Sequence, residues 1–145
     1  MIKYLKRTLY KETDMKTITF KLEDGELFRL SVKRVINDSW LHVGTDVKIL
    51  GFEAHRGFEM MEDELVELCD QLVSLKNHPQ ETLTFVITEE DFYLKAQPSD
   101  EELGKLVWEV RVGSIDVNGA CLHFLITTYF AGLSAIIDEV KEALG

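Results

Sequence analysis

The sequence predicts an α+β fold: a curved antiparallel meander sheet of about seven or eight strands packed against two helices, about residues 61–77 and 131–144. Three observations predict it. Apolar residues alternate with period two through most of the chain. Two stretches switch to helical spacing. Strand-like segments arrive in runs ahead of each helix instead of alternating with helices, which argues against a parallel doubly wound sheet.

The first strand is "TITFKL", where Ile18, Phe20 and Leu22 point one way. "EDGE" follows as a turn, with Gly25 free to take positive φ. In "LFRLSVKRVI", Phe28, Leu30 and Val32 share a dry face, and Arg29, Ser31 and Lys33 the wet one. After the Asn37-Asp38 turn, "WLHVGTDVKI" places Leu41, Val43, Val47 and Ile49 together. Near Leu50 the phase slips by one, and Phe52, Ala54, Phe58 and Met60 continue on even numbers, which signals a bulge or a new strand.

Met61, Leu65, Leu68, Leu72 and Leu75 then define one helical face. Glu62, Asp63 and Glu64 suit its positive N-terminal end, Lys76 suits its last turn, and Asn77-His78-Pro79 stops it. Alternation returns in "TLTFVIT", "DFYLKAQ", "LVWEVRVGS" and "ACLHFLITTYF", with Asn118-Gly119 as a hairpin signal before the last. Leu133, Ile136, Ile137, Val140 and Leu144 form the dry face of the closing helix. No sequence repeat or low-complexity tract appears.

A chain of 145 residues fits one domain. Residues 1–14 form a basic N-terminal extension expected to pack poorly, and residues 15–145 a single α+β domain. The formal charge is −10. Lys3, Lys6, Arg7 and Lys11 against Glu12 and Asp14 give the extension +2, so the remainder carries −12. Such a surface repels nucleic acid and anionic membranes and favours a basic protein partner, although acidity also serves solubility alone. The two cysteines, Cys69 and Cys121, read as buried free thiols, which with the lack of a signal peptide or spanning segment points to the cytoplasm.

No catalytic, cofactor or metal pattern emerges. His42, His55, His78 and His123 lack partners at zinc spacing. The nine glycines are scattered, so no phosphate loop forms, and no nucleophile elbow is present. Cys69 sits on or beside a dry helix face, where thiols are inert. Two acidic triplets do stand out: Glu89-Glu90-Asp91 and Asp100-Glu101-Glu102, at opposite ends of one strand and on the order of 20 Å apart. Tyr93 lies between them. Tyr93 and Tyr129 both oppose their strand's apolar face, which suits protein contact. These triplets with Tyr93 are the candidate partner-binding residues. The plain alternative is a strand between two solvated turns.

The stretches "SWLHVGTDVKI", "FEMMEDELVELCDQLVSL", "LTFVITEEDFYLKA", "LVWEVRVGS" and "LHFLITTYFAGLSAIIDEVKEAL" resemble the small WapI-like immunity proteins of bacterial polymorphic toxin systems. The likeness spans about residues 18–144 and rests on element order and diffuse apolar positions. It departs in the basic extension and at Glu90, where such proteins often carry proline. The resemblance implies a non-catalytic cytoplasmic protein, without cofactor, that binds and blocks a cognate toxin. Two other readings fit the composition: an acidic dimeric secretion chaperone, and a small-ligand-binding protein using the hollow of the sheet. Oligomeric state is not readable from the sequence.

Overall fold

The computed structural model describes residues 15–145 apart from residues 24, 36, 90 and 114–120. The basic extension and the Asn118-Gly119 turn lie outside the described residues. Among the described residues, eight strands and two helices follow in the order ββββα-ββββα. The strands are β1 (Lys16–Lys21), β2 (Leu27–Arg34), β3 (Trp40–Ile49), β4 (Phe52–Met61), β5 (Leu83–Val86), β6 (Phe92–Pro98), β7 (Lys105–Val112) and β8 (Leu122–Tyr129). The helices are α1 (Glu62–Asn77) and α2 (Leu133–Leu144), with a short 3-10 turn (Phe130–Gly132) ahead of α2.

The α+β class, the strand number and both helices stand as the periodicity indicated. The strands hydrogen-bond in two groups of four, β1-β2-β3-β4 and β5-β6-β7-β8, where the sequence suggested one continuous curved sheet. All pairings are antiparallel between neighbours in sequence. The molecule therefore repeats one structural plan twice, a duplication that shows in the topology and not in the residues.

Alternation along each strand decides which face is dry. In β3 the pattern of Leu41, Val43 and Val47 is buried at every second residue, and Leu106, Trp108, Val110 and Val112 do the same in β7. The two dry faces meet through aromatic pairs. Phe20 of β1 meets Trp108 of β7 edge-on, with ring centroids 4.9 Å apart. Phe28 of β2 meets Phe124 of β8 at 5.5 Å, and Phe58 of β4 stacks on Phe92 of β6 at 4.8 Å. Such edge-to-face and stacked rings add to the area they bury. Phe52, grouped with the apolar set of its strand by phase, is exposed because it opens β4 directly after the hairpin turn.

Each helix leaves its own sheet and packs on the other one. α1 follows the first sheet yet lies on β5; α2 follows the second sheet yet lies on β1; the helices also pack on each other. Both contacts carry a carboxylate that answers a backbone N–H. Glu139 of α2 accepts from Thr19 N–H at 3.0 Å, and Glu64 of α1 accepts from Thr88 N–H at 2.6 Å and Thr88 Oγ1 at 3.1 Å. The edge strand β1 leaves the Thr19 donor unpaired, so the Glu139 bond closes that edge, while the Glu64 bonds fix the turn that follows β5. Glu64 also accepts from the N–H of Met61 at 2.9 Å, capping its own helix. Arg34 donates to the terminal carbonyls of Ala143 and Leu144 and to Glu62, so the N-terminus of α1 lies beside the C-terminus of α2. Both helix dipoles are favoured by that arrangement.

Candidate partner-binding site

The hairpin turns at one end of the first sheet gather against the start of β7 and the end of β8. The β1–β2 turn supplies Glu23 and Glu26, and the β3–β4 turn supplies Leu50. The loop between β6 and β7 supplies Glu102, while β7 opens with Lys105 and β8 closes with Tyr129. Between them lies an open cleft of about 350 Å³ with Leu22, Ile49 and Leu125 on its walls.

Lys105 sits at the centre of the polar rim. Its Nζ donates to Glu102 and, at 3.2 Å, to Glu23, and it lies 5.0 Å from the Tyr129 ring centroid. The Tyr129 hydroxyl donates to Glu23 at 2.9 Å. These bonds tie the β1–β2 turn of one sheet to β7 and β8 of the other. Tyr129's hydrogen bond, and then Lys105, hold the Glu23 carboxyl below the usual glutamate range. The same bond raises the Tyr129 phenol, and Glu102 followed by Glu23 raises Lys105.

The signs of these shifts set the pH window. A lowered Glu23 contributes stability that is full above the ordinary glutamate range and is lost as pH falls through its folded value. A raised Lys105 contributes below the ordinary lysine value and loses it as pH rises through its folded value. The rim is therefore held across neutral pH. Carbon-detected NMR titration is expected to place Glu23 below an ordinary glutamate, with Tyr129→Phe and Lys105→Met each moving it back up. An unchanged midpoint in both variants would show that the rim does not form in solution.

Of the sequence-predicted residues, Asp100, Glu101 and Glu102 border this end of the molecule, all exposed. Ser99 Oγ accepts from the N–H groups of Glu101 and Glu102 at 3.3 and 3.1 Å, which fixes their loop. Glu89 and Asp91 lie beyond the opposite end of β6, so the structure does not bring the two triplets together. Glu90 lies outside the described residues. Tyr93 is half-buried, and Arg111 covers its ring with the guanidinium carbon 3.9 Å from the centroid. Tyr129 is exposed, in line with its phase. Glu23, Glu26, Leu50 and Lys105 were not singled out by sequence; all lie in or beside turns, where periodicity carries no signal.

Three of the four histidines are engaged by carboxylates: His42 with Asp38, His55 with Asp46, and His123 with Glu109. These contacts hold Asp38 and Asp46 below the usual aspartate range. Among the described residues no group of three or more His, Cys, Asp or Glu is placed to hold a metal ion. Cys69 and Cys121 are both free; burial pushes the Cys69 thiol up, whereas Cys121, expected to be buried, is half-exposed because it precedes β8. No helix among the described residues is long and apolar enough to cross a membrane.

The decisive comparison is with family models. The immunity protein WapI-like family matches residues 14–145. The chain belongs to that family. Its members are immunity proteins, which implies a toxin partner in general terms. No curated protein sequence matches this WapI-like chain significantly. Among solved structures, the fold is shared with the crystal structures of trypanosoma bruciei MRP1/MRP2, at a TM-score of 0.51 and 8% sequence identity, covering 99% of this chain and 91% of that chain. At that identity the likeness concerns the fold alone.

Proposed function

We propose that this WapI-like protein is a non-catalytic immunity protein that binds and neutralises a cognate, basic toxin in the cytoplasm. Family membership over residues 14–145 is the observation that carries this reading. The net charge of −10 supports a basic partner, because complementary fields steer encounter and raise association rates. Asp100, Glu101 and Glu102 form the proposed acidic margin of the contact. Glu89, Glu90, Asp91 and Tyr93 would join it for a partner that extends along the outer face of β6.

The test is co-expression with a candidate basic toxin domain from the same genome, together with binding kinetics of the purified pair. Growth rescue and a tight complex are expected. In the double variant Glu89→Lys with Glu101→Lys, the association rate should fall by about tenfold at low salt and lose much of its salt dependence. Absence of both rescue and binding in the wild type would overturn the immunity reading. Unchanged rate and salt dependence in the double variant would overturn the acidic contact while leaving the immunity reading in place.

A further inference from the structure

The β3–β4 hairpin turns on two residues, Leu50 and Gly51, with φ of 51° and 75°. Positive φ at both central positions is the pattern of a type I′ turn, for which Asn-Gly is the favoured pair. Leucine is poorly suited to that position, since its Cβ crowds the backbone in the left-handed region. The usual compensation for such a residue is burial, yet Leu50 is 92% exposed. Its N–H donates to Glu26 Oε2 at 2.8 Å, which holds the tip against the β1–β2 turn. A strained backbone that carries an apolar side chain into water is the kind of outlier that marks a functional position.

Leu50 lines the cleft between the sheets together with Leu125, itself 65% exposed on β8. Among the described residues of that rim, three carboxylates, Glu23, Glu26 and Glu102, face one ammonium, Lys105. We infer that Leu50 and Leu125 are the apolar anchors of the toxin contact, and that the cleft receives a basic toxin segment carrying an apolar side chain. Charge complementarity selects this occupant: lysine or arginine flanking an apolar side chain satisfies the rim while that side chain fills the space beside Leu50. An apolar centre with a polar margin is the usual anatomy of a protein contact. The inference rests on the immunity reading and assigns it a surface.

Leu50→Asn separates binding from folding, because asparagine suits the turn and removes the anchor. The expected result is a rise in Tm of about 2–4 °C with at least a tenfold weaker complex with the candidate toxin domain that the wild type binds. Leu125→Thr should weaken the same complex, and Val86→Thr, an exposed position on β5, should leave it unchanged. Wild-type binding that neither Leu50→Asn nor Leu125→Thr alters would overturn the inference without touching the immunity reading. A wild-type dimer that Leu50→Asn dissociates, with toxin binding intact, would overturn it by assigning the cleft to a second copy. Failure of the wild type to bind the toxin would overturn the immunity reading and the anchor assignment together.

Discussion

Trp108→Ala is expected to remove about 3–5 kcal/mol of stability, the range for deleting a large buried aromatic. Trp108 is fully buried on β7 and meets Phe20 across the sheet interface. Truncation leaves a void between two sheets whose other aromatic pairs hold them apart, so collapse into the space is limited. A second loss accompanies it. Trp108 Nε1 donates to Thr128 Oγ1 at 2.8 Å, and Thr128 is buried on β8. Domains of this kind have total stabilities of about 5–15 kcal/mol, so the change is a large share of the whole. Denaturant unfolding of the variant measures it. Trp108→Phe should fall between wild type and alanine, because it refills most of the volume but leaves the Thr128 hydroxyl without its donor. A phenylalanine variant as unstable as alanine would show that the hydrogen bond, and not the packing, dominates.

The second large effect is at Glu64. Its carboxylate is buried, and its two oxygens each accept from a backbone N–H: Oε1 from Met61 and Oε2 from Thr88. Glu64→Ala should cost about 2–3 kcal/mol, the scale for losing hydrogen bonds to a charged group and stranding their donors. Glu64→Gln is the sharper experiment. Glutamine can accept at only one of the two sites; at the other its NH₂ would face a donor. It should therefore be nearly as destabilising as alanine, despite its matching size. Thermal or urea unfolding of both variants checks this, and a near-neutral Glu64→Gln would mean that shape alone matters there. Substitution at Glu139, which answers Thr19 N–H with one oxygen, gives a natural comparison.

The strands and helices were legible because the chain switches its apolar period cleanly. Leu65, Leu68, Leu72 and Leu75 are all buried as their spacing required, as are Leu133, Ile136, Ile137 and Val140. Periodicity reports which face is dry but not which surface it meets. That is why the split into two sheets, and the exchange of helices between them, could not be read from residues. The phase slip at Leu50 offered two explanations, a bulge or a new strand; the structure shows a turn and a new strand. Its unusual backbone was hidden because leucine carries no turn signal. For the site, exposed Tyr129 and the triplet Asp100-Glu101-Glu102 were visible in sequence, while Glu23 and Lys105 matter through contacts across 82 residues of chain separation that no local pattern encodes. The pairing of Lys105 with two glutamates is a tertiary fact.

The exchange of helices also bears on how the molecule comes apart. With α1 sealing β5 and α2 sealing β1, the halves are clasped, and neither can peel away without stripping the lid from its neighbour. Loosening at one flank thus propagates to the far one. Among the described residues, the cleft where turns from both halves converge contains no helix residue, so the bonds of Lys105 and Tyr129 to Glu23 there make a third tie between the halves, separate from the two that the helices make.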